Sequence, residues 1–343
     1  MLSTEYLFLW LRSAAATGHP GDSGPAILLI CNLHTDTQCN MDKLRSLRDA
    51  IALDVQDGDS IAMGCALESQ IPFAASHEII RQHKKDLTLI GPISDMQFDQ
   101  LIGAGCVRKI IASWVGNVAA GLGHNYRRAA EAGTPNSIEI EEHSNFTIGL
   151  GLQAASMGLP FLPTRTVKGS GFAKAAHFKR VRCPFTGENL LAVSALQPDV
   201  AILHVQRADS EGNAHAWGNF GVMREAALAA KKVILSCEEI VEHDVILSDP
   251  NRTVIPGFVV SSVVHEPFGS FPSPTQGFAR RDDNFYFEYH QATRTREGFD
   301  NWLQNWVHGV GNHREFLRRL SDARIDKLKP KDNRFAPAVN FGF

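Results

Sequence analysis

Four consecutive residues, Gly169-Ser170-Gly171-Phe172, can bring bare backbone N–H groups against a ligand, because two glycines keep side chains out of the way. Ser170 matches a nucleophile only superficially. A nucleophile elbow needs GxSxG at a strand-to-helix turn with an ordered acid and histidine downstream, and GSGF lacks that frame. The stretch from Gly64 to Ser69 departs from the dinucleotide pattern GxGxxG, and neither GxxxxGK[ST] nor HExxH occurs. A nicotinamide cofactor is therefore not expected. Among the acids, Glu68 lies in a loop where it can face a ligand or simply be solvated. Glu141 and Glu142 precede a helix, whose dipole they would stabilise. Glu238 and Glu239 follow an apolar strand and read as structural. His204 and His215 flank a turn at 209–213, and strand alternation suits satisfied core or interface histidines there.

These residues need elements to hold them. Phe146, Gly149, Leu150, Gln153, Ala154 and Met157 recur at helical spacing, and Gly149, Gly151, Ala154 and Ala155 let another backbone approach closely. Gly158 is placed to end that helix in the left-handed conformation. Leu-Pro-Phe-Leu-Pro then runs extended, since each proline pushes its predecessor out of the helical region. Upstream, Leu44, Leu47, Ile51 and Val55 share one helix face, and residues 60–63 form a buried strand. The loop 64–72 follows at the strand's carboxyl end, with Pro72 leading a helix over 73–83. Residues 87–91 make a second strand, ending in Gly91 and Pro92 with no acid. A third lies within VRKIIASWVG, and Asn117 stands just past its end. Downstream come strands over 200–209 and 233–237 and in FVVSSVVH. Two terminal helices close the chain, the first with Phe299, Trp302 and Trp306 on one face. Strand and helix alternate with short connections. That rhythm predicts an α/β fold: a mostly parallel open sheet with helices on both faces and a helical C-terminal part.

An apolar content of 44%, with 21% charged residues, describes an ordinary globule with core enough for one large domain. A formal charge of −3 with dispersed lysines and arginines argues against nucleic acid as a partner. Six scattered cysteines, with no CxxC pair and no His/Cys ligand cluster, suit reduced thiols in the cytoplasm, and no metal is expected. No apolar run approaches the ~20 residues that span a bilayer. Residues 1–40 lack the later rhythm and read as an N-terminal extension without a fixed packing role. Residues 41–325 form the domain and 326–343 a tail.

The run GLPFLPTRTVKGSGF, the upstream LTLIGPISDMQFDQLIGAGCVRKI and the downstream CEEI together resemble the alpha subunits of class I CoA-transferases of the glutaconate type. The resemblance extends from about Met41 to about Leu320. It implies an enzyme that moves coenzyme A between carboxylic acids, with a coenzyme A thioester as substrate and no other cofactor. It implies a beta-type partner subunit that carries the nucleophilic glutamate at the end of its own second strand, so that no catalytic nucleophile is expected here. Substrate-binding residues are then expected at Gly64, Glu68, Ser69, Asn117, Gly169, Ser170, Gly171 and Phe172, with Glu68 the best-placed acid. Relatives in steroid degradation are ring-cleaving hydrolases, which makes a loop acid acting on water an alternative role for Glu68. Sugar-phosphate sensor domains share the fold type but usually carry a DNA-binding helix-turn-helix, which residues 1–40 do not resemble.

Overall fold

The computed structural model describes residues 43–175 and 177–332. Seven parallel strands form the body of the sheet: β1 (Ser60–Ala62), β2 (Leu87–Ile93), β3 (Val107–Trp114), β4 (Glu139–Glu142), β5 (Val200–Ala208), β6 (Lys232–Ile240) and β7 (Ser262–His265). Their spatial order is β7-β6-β5-β1-β2-β3-β4. The first four strands are laid down outward from β1, and the next three outward on its other side. The direction of winding therefore reverses between β1 and β5, and in open parallel sheets the crevice at the carboxyl ends beside such a reversal is where ligands bind. Of β5, only the start pairs with β1. Farther along, Arg207 and Ala208 of β5 pair with the antiparallel strand Ala214–His215 instead. The loop after β1 thus enters a gap in the sheet.

Alternation along the strands explains how both faces are buried. Ile61, Leu89, Ile202 and Ile234 enter one core, and their neighbours Ala62, Ile90, Leu203 and Leu235 the other. The C-terminal helices Asp283–Ala292, Arg296–Leu303 and His313–Arg318 cover the first face with Phe285, Tyr286, Tyr289, Phe299, Trp302 and Phe316. Ile148 and Leu152 of the helix Asn145–Ser156, with Met223 and Ala226 of the helix Met223–Ala229, cover the second. Gly151 is needed there, since a Cβ would stand 2.8 Å from Leu196. Gly158 has φ +68° and follows the helix as the sequence predicts. The expected fold is borne out.

Several details differ from the sequence reading. The extended LPFLP segment and LLAVS do not join the main sheet. They form Phe161–Thr164 and Asn189–Ser194 of a separate antiparallel sheet, completed by Lys179–Arg182. This arm pairs through hairpin-type contacts, which strand propensity alone does not assign to one sheet or another. The helix Asn145–Ser156 is capped by Ser144 and Thr147 rather than by Glu141 and Glu142, which lie in β4. The two helices expected at the C-terminus are several shorter ones. The last, Asp322–Leu328, runs across the expected tail boundary. The extension 1–40 lies outside the described residues.

Candidate active site at the carboxyl edge of the sheet

The loop after β1 is held in an unusual backbone conformation. Gly64, Leu67 and Gln70 all have positive φ (+63°, +62° and +53°), a region that leucine and glutamine seldom occupy. Such conformations persist where the surroundings over-determine them, and they cluster at functional sites. Here the surroundings are the segment 266–281. Gln70 N–H donates to the Pro274 carbonyl (2.9 Å), Ala74 N–H to the Gly269 carbonyl (3.0 Å), and the Gln70 side chain to Gln206 Oε1 (2.9 Å). Gly64 must be small, because a Cβ would meet Ser94 at 3.0 Å. Glu68 is half exposed and paired with Arg281, Oε2 to Nη2 at 2.8 Å. Ser69, Gln276, Phe278, Arg280 and Arg281 line a cavity of about 470 Å³ beside this loop.

Glu238 supports that wall from below. It is buried at the end of β6, where Oε1 meets His204 Nε2 at 3.0 Å and Oε2 accepts from Phe268 N–H at 2.7 Å. His204 Nδ1 in turn meets Ser236 Oγ at 2.9 Å. Both groups are satisfied core residues, as the sequence predicts. His215 is buried with Nε2 near the Ile246 carbonyl. Glu239 instead pairs with Arg207 at 3.0 Å. Glu266, just past β7, is pushed up to about 7 chiefly by burial, and His313 down to about 4 for the same reason.

An acid does follow β2, which the sequence reading missed because the strand runs past Gly91 and Pro92 to Ile93. Asp95 comes two residues later, with φ +54°. Oδ1 accepts from Met96 N–H (2.8 Å) and Val118 N–H (3.0 Å), and burial raises its carboxyl to about 6. It is wholly buried, so it anchors the strand ends rather than reaching a ligand. Positive φ in an aspartate is the only local signal, and sequence does not display it. Asn117 is likewise buried. Its side chain donates to the Tyr286 carbonyl (2.8 Å) and accepts from Ala119 and Ala120 N–H, which closes the turn after β3.

The GSGF turn sits elsewhere along the same edge. Ser170 is engaged locally, with N–H and Oγ both on the Val167 carbonyl. Gly171 and Phe172 begin a single 3₁₀ turn, and nothing stands within 4 Å of a Cβ at Gly169 or Gly171. Positive φ falls on Gly169 (+86°), not on Gly171. The segment reaches the main sheet through His177 and Phe178, whose rings lie 4.7 and 5.3 Å from that of His143, just past β4. His143 and Lys109 hold the Glu141 carboxyl down at about 2. Gly64, Glu68 and Ser69 thus gather at β1. GSGF is tied to β4, three strand spacings or about 14 Å away along the same edge.

Residues 44–266 match the family described as Coenzyme A transferase. The chain is 43% identical to a 3-oxoadipate CoA-transferase subunit from Pseudomonas knackmussii over 286 residues, 83% of this chain and 100% of that one. Its fold is similar to the crystal structure of glutaconate coenzyme A-transferase from Acidaminococcus fermentans, with TM-score 0.81 and 34% identity over 87% of this chain and 98% of that one. Similarity to the cholesterol ring-cleaving hydrolase IpdA subunit of Mycobacterium tuberculosis is lower, 28% over 78% of this chain and 94% of the relative. With the parallel sheet, the strained loop at its winding reversal and these full-length similarities, the chain belongs to the coenzyme A transferase family.

Proposed function

We propose that this chain is the alpha subunit of a heteromeric CoA-transferase that moves coenzyme A between carboxylic acids, 3-oxoadipate-like dicarboxylates being the best-supported acyl class. The observation that carries the division of labour is the state of the acids at the carboxyl edge. Glu68 is ion-paired, and Asp95 and Glu238 are buried, so none of these is an exposed, unpaired carboxylate. The nucleophile then comes from a beta-type subunit. In such a reaction the partner's glutamate attacks the thioester carbonyl and expels the CoA thiolate, leaving an acyl–glutamyl anhydride. The thiolate attacks the glutamyl carbonyl, releases the first acid and leaves a glutamyl–CoA thioester. A second carboxylate reverses these steps and departs as the new acyl-CoA.

This chain supplies surfaces for that sequence. Gly64, Ser69 and Arg281 face the acyl end, and backbone N–H groups of the GSGF turn stabilise the oxyanion or the thioester. Asn117 holds the turn behind them. Lys174, Lys179 and Arg180 are exposed around GSGF and suit the phosphates of coenzyme A. Phe146, Met157, Leu159 and Phe161 are exposed on the adjoining helix and strand, an apolar set that a partner subunit would cover. Among the described residues no helix is long and apolar enough to cross a membrane, and a cytoplasmic location belongs to the same reading. Co-expression with the beta-type subunit tests it. The pair is expected to form a hetero-oligomer that transfers CoA from an acyl-CoA to 3-oxoadipate or glutaconate, and the single chain is expected to be inactive. Turnover by the purified single chain overturns the division of labour, and release of free CoA without an acceptor acid indicates hydrolysis instead.

A further inference from the structure

Glu141, His143 and His177 each present one ligand-type atom to a common space, all within 4.8 Å of one another. Hydrogen accounting shows what that space lacks. Thr147 Oγ1 lies 3.2 Å from the Ser144 carbonyl and 3.1 Å from His143 Nδ1, and Glu141 Oε1 lies 3.1 Å from His143 Nε2. With the His143 proton on Nδ1, the Nε2 lone pair and the carboxylate oxygen are two acceptors face to face, and a cation between them satisfies both. A second proton on His143 would serve that pair alone. It would not serve His177, whose Nε2 is buried without a partner while the Glu142 carbonyl hydrogen-bonds the same ring, leaving Nδ1 as the donor. A metal ion satisfies all three atoms at once.

The surroundings match a metal site in its details. His143 Nδ1 lies against Thr147 Oγ1, the kind of oxygen contact that orients metal-ligating histidines. Lys109 Nζ holds Glu141 Oε2 at 2.8 Å, which leaves Oε1 as a single donor. Donors about 2.0–2.2 Å from a tetrahedral zinc ion stand roughly 3.3–3.6 Å apart, so the three atoms, within 4.8 Å of one another, draw together by at most roughly 1.5 Å to hold one. Two imidazoles with one carboxylate suit zinc and its neighbours rather than magnesium or calcium. We propose that Glu141, His143 and His177 bind one divalent transition-metal ion, zinc foremost, which tethers residues 169–178 to the carboxyl end of β4. The sequence hides this because His177 is far along the chain from the other two ligands.

The test is zinc retention by the full-length chain, stripped with a chelator, dialysed against Zn²⁺ and assayed for metal by elemental analysis. The wild type is expected to retain one zinc ion per chain. His177→Ala and Glu141→Gln are each expected to weaken binding by at least about tenfold. Zinc should raise the melting temperature of the wild type and not of His177→Ala. His290→Ala alters a second pair of imidazoles, His124 and His290 at 4.3 Å, and should keep full retention. His177 is only partly buried, and Glu141→Gln is nearly isosteric, so one poorly folding variant does not remove the test. Folded wild type that retains no zinc, or ligand variants that retain as much zinc as the wild type, overturns the site.

Discussion

The loop after β1 and the GSGF arm both line the carboxyl edge of the sheet, yet they are held by opposite means. Around the first, backbone donors and buried polar side chains from β5, β6 and the segment 266–281 fix almost every group. Glycines there are small because neighbours touch them. The second stands on a three-stranded antiparallel sheet, with open space around Gly169 and Gly171 and cations on its surface. The first region is shaped by packing and tolerates little, whereas the second has open space around its turn. A change in the first should therefore register in stability, and a change in the second in chemistry.

The largest effect should come from Gly91→Ala. A methyl group there would lie 2.3 Å from Ser94 Oγ and 2.5 Å from the Met63 carbonyl. Backbone must move, and a loss of at least about 3 kcal/mol is expected, read as a fall in melting temperature. An unchanged melting temperature would remove the distinction between the two regions.

Glu266→Gln should sharpen the same contrast through pH. In the folded chain this carboxyl titrates at about 7 instead of 4.5, so the native state holds its proton more tightly than the unfolded one. The contribution is fully favourable below pH 4.5 and is lost as pH rises through 4.5 to 7. Glutamine escapes that loss. The variant should gain on the wild type by up to about 3 kcal/mol between pH 5 and pH 8, seen as a growing difference in melting temperature. A difference independent of pH would mean that Glu266 is hydrated.

Gly171→Val tests the arm. Space is open and φ is not positive, so melting temperature and assembly with the partner should be preserved. Turnover should fall about 100-fold, the scale of one lost oxyanion donor. Full specific activity would remove GSGF from the site. The smallest effect is expected for Glu68→Gln. Its ion pair with Arg281 is half exposed and contributes less than about 1 kcal/mol. If Glu68 only holds Arg281, kcat should hold and KM should move; a fall in kcat like that at Gly171 would make Glu68 a reacting group.

Much of this molecule is legible in the chain. Near-continuous apolar runs over 87–91 and 200–209, separated by helix-period stretches and closed by glycines such as Gly133 and Gly158, point to a covered parallel sheet, because strands apolar on both sides need both faces buried. The motif order around GSGF reports the family. Other features exist only once the chain is folded. Whether LPFLP pairs with the main sheet or with an arm depends on partners distant in sequence. Asp95 is buried because β2 runs three residues beyond Ile90 and Tyr286 arrives from the C-terminal helices. Glu141 and Glu142 look like helix-capping residues until Ser144 takes the cap, and the arm brings His177 beside His143. Local periodicity is written in the sequence because it depends on neighbours three or four residues away. Charge pairing, burial and ligand sets depend on long-range contacts, which only the tertiary structure decides.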